Sequence, residues 1–389
     1  MTATIDVSED ALQRVRELIP LIGTEADQAE TDGTLTPAVV DAMRRSGLFR
    51  IMAPRCLGGA EAPVPTVYQV IEELAKADGS ASWSFMATAV YLGTAGSLLG
   101  DSAVEKIFSD PNVSIAGQLA PLGTAIPIDG GFTVEGRFGF ASGAMHASWL
   151  FGGYRELVDG EQVRLDSGLP RIHGVLVPRE QVEYLGNWNV IGLRATGSVD
   201  FQVPQQDIPA EYTFSTLEDE PLRGGPLMRL GPSGMTAIGH SAFATGVART
   251  ALDQLKQVAG SKRRLGRKGL IDDPYFQNQY ARAEASLGSA RAYALATLSE
   301  LGEAAEADAI TPEVRARARL ATTHACHCAR DVISFAFQQS GSTGLRNGSI
   351  LQRCYRDISA GEQHVFTDHN TYRDASLALL GIAPPTLQL

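Results

Sequence analysis

The hydrophobic period changes twice along this chain, and few architectures accept that order. It runs near 3.6 residues at first, falls to two from about residue 113, and returns to 3.6 after about residue 232. In the first segment Leu12, Val15, Leu18, Ile19 and Ile22 recur at three- and four-residue spacing behind Ser8, which reads as an N-cap. Thr36 before Pro37, with Gly47 beyond the last turn, brackets a short second helix. Val67, Val70, Ile71 and Leu74 form a third stripe ended by Gly79, and Trp83 to Leu99 forms a fourth, rich in small residues. The period of two follows: Asp129-Gly130-Gly131 before Phe132 and Val134 reads as a hairpin, and 149–154, 172–177 and 199–203 read as strands. Helical blocks then cover about 233–260, 274–306, 312–340 and 349–380, which predicts a four-helix bundle. The expected class is α+β: a helical domain over 1–112, a β domain over 113–215 and the bundle over 216–389.

Composition narrows the function. At about 150 residues per domain, 389 residues make two or three domains and bury a sizeable core. Lysine and arginine total 33 against 44 acids, a net charge of −11. The average surface therefore repels nucleic acid and anionic bilayers, and neither is the expected partner. Four cysteines, three of them at Cys326, Cys328 and Cys354, make no disulfide framework and fit a reducing compartment. The opening residues carry no basic and apolar leader, and no run of about 18 apolar residues occurs, so the expected location is the cytoplasm.

Familiar motifs are mostly missing. No G-x-G-x-x-G follows a strand and no P-loop occurs, while Gly139 to Gly143 and Gly239-His240-Ser241 each miss the G-x-S-x-G elbow. His324, Cys326, His327 and Cys328 share a helix, but zinc needs further ligands and free cysteines commonly pack cores; no metal is expected. Ser142, His146 and Trp149 fall where a strand ends in a glycine-containing loop, a place suited either to binding or to plain turn chemistry. In the segment from Gly186 to Ser198, the small residues of Ala195-Thr196-Gly197-Ser198 let a planar or anionic ligand approach, and Trp188 offers a stacking face. Lys262, Arg263, Arg264, Arg267 and Lys268 put five cations between Ser261 and Gly269, either a solvated loop or a phosphate site.

Several of these motifs carry a resemblance. Phe140-Ala141-Ser142-Gly143 with His146 and Trp149 is similar to F-x-S-G-x-x-H-x-x-W, and Trp188 with Gly192 to Ser198 is similar to W-x-x-x-G-L-R-x-T-G-S. Near the end, Gly341 to Gly344, Gln352-Arg353, and Arg356-Asp357 followed by Gly361 and His364 are similar to G-x-x-G, Q-R and R-D-x-x-x-G-x-x-H. Over almost its whole length the chain resembles the acyl-CoA dehydrogenase fold. Within that fold it resembles the group D two-component flavin-dependent monooxygenases, whose C-terminal domain is the second type.

The resemblance implies a β domain between two helical ones, and a flavin against Ser142, Gly143, Trp149, Arg194, Thr196, Gly197 and Ser198. It implies that Arg263, Arg264 and Gln277 neutralise flavin phosphate and that Gly341 and Gly344 hold the flavin of a neighbouring subunit in a homotetramer. Trp83, Tyr91 and His146 would face the substrate, and His364 and Ser142 would take part in catalysis. The co-substrates implied are reduced flavin, FMNH2 or FADH2, from a separate NAD(P)H:flavin reductase, and O2. These would give a C4a-hydroperoxide that hydroxylates an aromatic or polycyclic compound.

A dehydrogenase of the same fold needs a carboxylate base. No Asp or Glu stands between Glu220 and Asp253, which leaves Glu362 alone to set against His364. Histidine exchanges protons near neutral pH and fits the oxygenase. Relatives acting on small phenols carry histidine eight residues after the tryptophan equivalent to Trp83; here that residue is Tyr91, so a larger aromatic is as plausible as a phenol. An oxidase using Glu362 and a non-catalytic flavin-binding module are the alternatives.

Overall fold

The computed structural model describes residues 7–261 and 269–382. Five helices come first: α1 (Val7–Asp32), α2 (Pro37–Arg45), α3 (Val64–Ala77), α4 (Gly79–Leu98) and α5 (Asp101–Phe108). The strands are β1 (Ile115–Ile128), β2 (Gly131–Phe138), β3 (Trp149–Val158), β4 (Glu161–Gln162), β5 (Ile172–Pro178), β6 (Glu183–Tyr184), β7 (Phe201–Pro209) and β8 (Thr213–Ser215). Then come α6 (Pro226–Arg229), α7 (Gly231–Ser261), α8 (Pro274–Glu306), α9 (Pro312–Ser340), α10 (Ile350–Gly361) and α11 (Asn370–Leu379). The class is α+β, as the periodicity predicts.

Local chemistry sets most helix ends. The Thr36 hydroxyl accepts the Val39 N–H, Pro37 opens α2, and Gly47 beyond it has φ +71°. Pro274 and Pro312 open α8 and α9 behind the capping side chains of Asp273 and Thr311. Two expected ends move. α1 begins at Val7, so Ser8 lies inside it. α3 ends before Gly79, at Asp78, whose extended backbone breaks the helix while its carboxylate caps α4 by accepting the Ala81 N–H at 2.8 Å.

The strands order β6-β7-β2-β1-β3-β5-β8, with β4 on β3; β1 and β3 run parallel and the other pairs antiparallel. The period of two divides the sheet between two cores. On β3, Trp149 and Phe151 join the helical core, whereas Leu150 joins a separate core with Val134, Phe138, Tyr154 and Phe201. On β5, Leu176 faces the helices and Val175 and Val177 the other side.

The bundle forms from α7, α8, α9 and α10, and α3 packs against α7. Its fourth block is broken: 349–380 is not one helix but α10, a turn over 362–369, and α11. The break lies where a Cβ on Gly361 would stand 2.8 Å from the Phe243 ring and 3.1 Å from Trp83, and Asp368 caps the restart by accepting the Asn370 N–H at 2.7 Å. That turn carries His364.

Candidate active site

Four side chains from three separate stretches of sequence join at the junction of α4, the β2–β3 loop and the loop before β7. The Trp83 indole N–H donates to Ser142 Oγ at 3.0 Å; Ser142 Oγ lies 2.8 Å from Ser198 Oγ, which lies 2.6 Å from Thr196 Oγ1. Thr196 donates its proton to the Leu193 carbonyl at 2.8 Å, and a carbonyl only accepts. Ser198 must then donate to Thr196, and Ser142 to Ser198. Every hydroxyl proton in the row is committed, so the row offers an incoming ligand lone pairs only. Ser142, 8% exposed, is its accessible end; Thr196 is sealed at 0%.

The glycines beside the row are tight. Gly143 (φ +82°) and Gly197 (φ +56°) adopt left-handed backbone, and a Cβ on Gly197 would stand 2.9 Å from Met145 Cγ and 3.0 Å from Thr34 Oγ1. Two buried polar atoms border this cradle without a partner: Thr34 Oγ1 and His146 Nε2. Burial, then Arg44, lower the His146 pKa to about 4, so its ring is neutral. Arg44 also donates to the His146 carbonyl at 2.7 Å and fixes the loop.

His364 closes the other side. Its ring centroid lies 5.9 Å from that of Trp83 and 4.6 Å from that of His240 on α7, and Phe243 packs edge-on to Trp83 at 5.0 Å. His364 is exposed to solvent, with the Trp83 and His240 rings packed against it. Its Nδ1 accepts the Phe366 N–H at 3.2 Å, so the ring proton sits on Nε2. Burial, then Arg319, lower its pKa to about 4. Glu362 pairs through Oε1 with Arg330 of α9 at 3.0 Å, and its buried Oε2 has no hydrogen-bond partner.

The other expected site residues have partners outside the hydroxyl row. Trp149 stacks on Tyr212 at 5.7 Å with Lys106 over its ring. Tyr91 stacks on Phe151 at 5.5 Å and donates its hydroxyl to the Gly117 carbonyl at 2.7 Å. Arg194 is exposed, and its carbonyl accepts the Trp188 indole N–H at 2.9 Å. Gln277, in the first turn of α8, donates to the Ile271 carbonyl at 2.9 Å. Gly341 (φ +56°) ends α9, and Gly344 is buried in the turn after it. Arg263 and Arg264 lie outside the described residues. Cys326 donates to the His240 carbonyl and Cys328 contacts Ser286 Oγ; among the described residues no three such groups gather around a metal position.

Sequence reasoning missed Asp357 as an anchor. Its carboxylate, 3% exposed, accepts the Leu193 N–H at 2.6 Å and holds that residue at φ +52° behind the hydroxyl row. Burial, then Asp78, raise its pKa from 3.8 to about 7; Arg353 and Arg356 pair with Glu30 nearby. Between those values the folded chain holds a proton that the unfolded chain releases, so stability falls as pH rises through this window and levels above about 7. Asp357→Asn keeps an acceptor for Leu193 and removes the charge. The drop in Tm from pH 5 to pH 8, followed by calorimetry, should therefore shrink in the variant; an unchanged slope would exclude Asp357 as its source. Asp78, raised by the same burial, should retain part of it.

Comparison with known proteins shows the family of the chain. Residues 238–369 match the family described as Acyl-CoA dehydrogenase, C-terminal domain, and residues 10–105 its N-terminal domain. The indole-3-acetate monooxygenase of Pseudomonas putida is 32% identical over 89% of this chain and 87% of its own. The oxygenase subunit HsaA, a flavin-dependent monooxygenase of Rhodococcus jostii (strain RHA1), is 29% identical over 92% of this chain and 94% of its own. The crystal structure of the HsaA monooxygenase from M. tuberculosis superposes with a TM-score of 0.89 at 26% identity, covering 98% of this chain and 100% of that one. This chain therefore belongs to the acyl-CoA dehydrogenase family, in its branch of two-component flavin-dependent monooxygenase oxygenase subunits. It is an oxidoreductase of that class.

Proposed function

We propose that this chain hydroxylates an aromatic or polycyclic compound with O2 and reduced flavin delivered by a separate reductase. The observation that carries the reading is the position of His364 beside Trp83, whose indole bonds Ser142. Glu362, the one carboxylate a thioester dehydrogenase could use, is bonded through Oε1 to Arg330, with its Oε2 buried and unpartnered.

The donor set fits a flavin. The row headed by Ser142 presents lone pairs, and a reduced flavin carries a ring N–H where the oxidised form carries a bare nitrogen. Ser142, Gly143, Gly197 and the unpartnered Thr34 hydroxyl would hold the ring, and Arg263, Arg264 and Gln277 would meet the phosphate. When bound, the flavin supplies the activation of O2 and the oxygen atom that enters the substrate. The chain's own groups do the rest: Trp83, Phe243 and Phe366 exclude water, and His364 Nε2–H donates a hydrogen bond to oxygen at the reacting centre. The same reading seats a second copy of the chain against the 341–344 turn, beside exposed Leu345 and Ile350, in a homotetramer.

Consumption of NADH through any flavin reductase, with 18O2 and a panel of indoles, naphthols and phenols, tests the function. The expected result is one 18O atom in a hydroxylated product. Oxidation of an acyl thioester, with no labelled product from any aromatic, would overturn it.

A further inference from the structure

His240 holds the one ring nitrogen in this cluster that the reading above leaves unused. Its Nδ1 lies 3.1 Å from the Thr236 carbonyl, one turn back on α7. A carbonyl only accepts, so Nδ1 carries the proton and Nε2 is a bare lone pair. Burial, then His364 and Arg319, push its pKa well below the ordinary 6.5, and the ring stays neutral. Nδ1 faces the helix, so Nε2, across the ring, faces away from it, towards a surround of Trp83 at 4.9 Å, His364 at 4.6 Å and Phe366 at 5.4 Å between ring centroids. The residue is 4% exposed, and Nε2 has no hydrogen-bond partner. Buried polar atoms are almost always paired, and an orphan enclosed by the rings of the proposed site points to a ligand that completes it.

The two histidines are complementary. His364 presents Nε2–H, whereas His240 presents an Nε2 lone pair. Tyr91, the other polar side chain expected on the substrate side, has already given its hydroxyl proton to Gly117. We propose that His240 is a specificity-determining residue: its Nε2 accepts the hydrogen of an O–H or N–H group borne on the substrate's aromatic ring. A phenolic oxygen satisfies both histidines, donating to His240 and accepting from His364; an indolic N–H satisfies His240 alone; a hydrocarbon ring leaves the buried lone pair unmatched. His240 recognises the hydrogen rather than removing it, because burial and the nearby Arg319 guanidinium oppose a cation at this ring.

This inference rests on the aromatic reading of the site, and one experiment separates the two. The full chain with reduced FMN, held anaerobic, is titrated calorimetrically with 2-naphthol, indole and their methylated counterparts, 2-methoxynaphthalene and N-methylindole. The wild type should prefer at least one donor-bearing compound to its methylated form by about 10-fold or more, since methylation strands the buried acceptor. Preference in the naphthol pair assigns an O–H ligand, and preference in the indole pair an N–H ligand. His240→Phe keeps a ring without an acceptor and should bring the pair to within about threefold; His240→Gln, with an amide oxygen at similar reach, should retain most of the preference. In turnover the loss should fall on kcat/KM for the donor-bearing compound and spare its methylated form. Equal wild-type affinities within both pairs overturn the inference, even if the Phe variant fails to fold, and so does a preference unchanged in a folded His240→Phe. Binding of none of the four overturns the aromatic reading along with it, whereas binding whose preference ignores His240 overturns this inference alone.

Discussion

His364→Ala is expected to lower the rate of substrate hydroxylation by about 10²- to 10³-fold, the range for losing one preorganised hydrogen-bond donor at the reacting centre. The expectation starts from the tautomer. Because Nδ1 is occupied by the Phe366 N–H, the ring holds its proton on Nε2, and a pKa near 4 keeps it neutral and available as a donor through neutral pH. Reduced-flavin affinity should change by less than about threefold, since the hydroxyl row and its glycines lie on the other side of Trp83 and make no hydrogen bond to His364. Glu362→Gln should be mild by comparison, costing the ion pair to Arg330 and some stability but little turnover. Product formation in a reductase-coupled assay, beside anaerobic flavin titration, measures both quantities. If Glu362→Gln abolished oxidation of a thioester while His364→Ala left it intact, the reaction would be dehydrogenation.

The second large effect is expected at Gly192. Its backbone is not left-handed, so alanine is excluded by space alone: a Cβ there would overlap the Arg356 carbonyl on α10. Backbone cannot rotate away as a side chain can, so Gly192→Ala must part α10 from the loop. That parting would stretch the bond from Asp357 to the Leu193 N–H and the one from Arg356 to the Ile191 carbonyl, now 2.6 and 2.8 Å. A loss of about 3 kcal/mol of stability is expected from overpacking of this kind. Turnover in the surviving folded fraction should fall by about 10²-fold, because α10 carries the His364 turn and a displacement of about 1 Å is enough. Thermal unfolding and steady-state rates at a temperature where the variant is folded would measure both; a wild-type Tm would refute the clash.

Much of the architecture was legible because local chemistry writes it. Thr36-Pro37, Asp273-Pro274 and Thr311-Pro312 announce helix starts whatever the rest of the chain does, and the period of two picks out β3, β5 and β7. The break between α10 and α11 was not legible, since Val365 and Phe366 continue the helical spacing of the residues on either side. What stops the helix is the Gly361 contact with Phe243 and Trp83, which come from two other helices. Ser142, Thr196 and Ser198 could be singled out from small-residue loops, but the order of their hydrogen bonds needs Leu193 in its left-handed conformation. That conformation is held by Asp357, 164 residues away, which explains why an aspartate inside a helical motif gave no hint of anchoring a loop. His240 was hidden in the same way: among the glycines and alanines of α7 it resembled only a failed nucleophile motif, and its role comes from the rings folded around it.

The one-way order of the hydroxyl protons, from Trp83 through Ser142 and Ser198 to Thr196 and the Leu193 carbonyl, has an electrochemical meaning. A pocket that accepts an N–H and has none to return would grip the two-electron-reduced ring harder than the oxidised one. By linkage, each tenfold of that difference would raise the midpoint potential of the bound flavin by about 30 mV. If the row seats the flavin as proposed, the cofactor would be held while it still has electrons to deliver and let go once they are spent, and the row would time its return to the reductase.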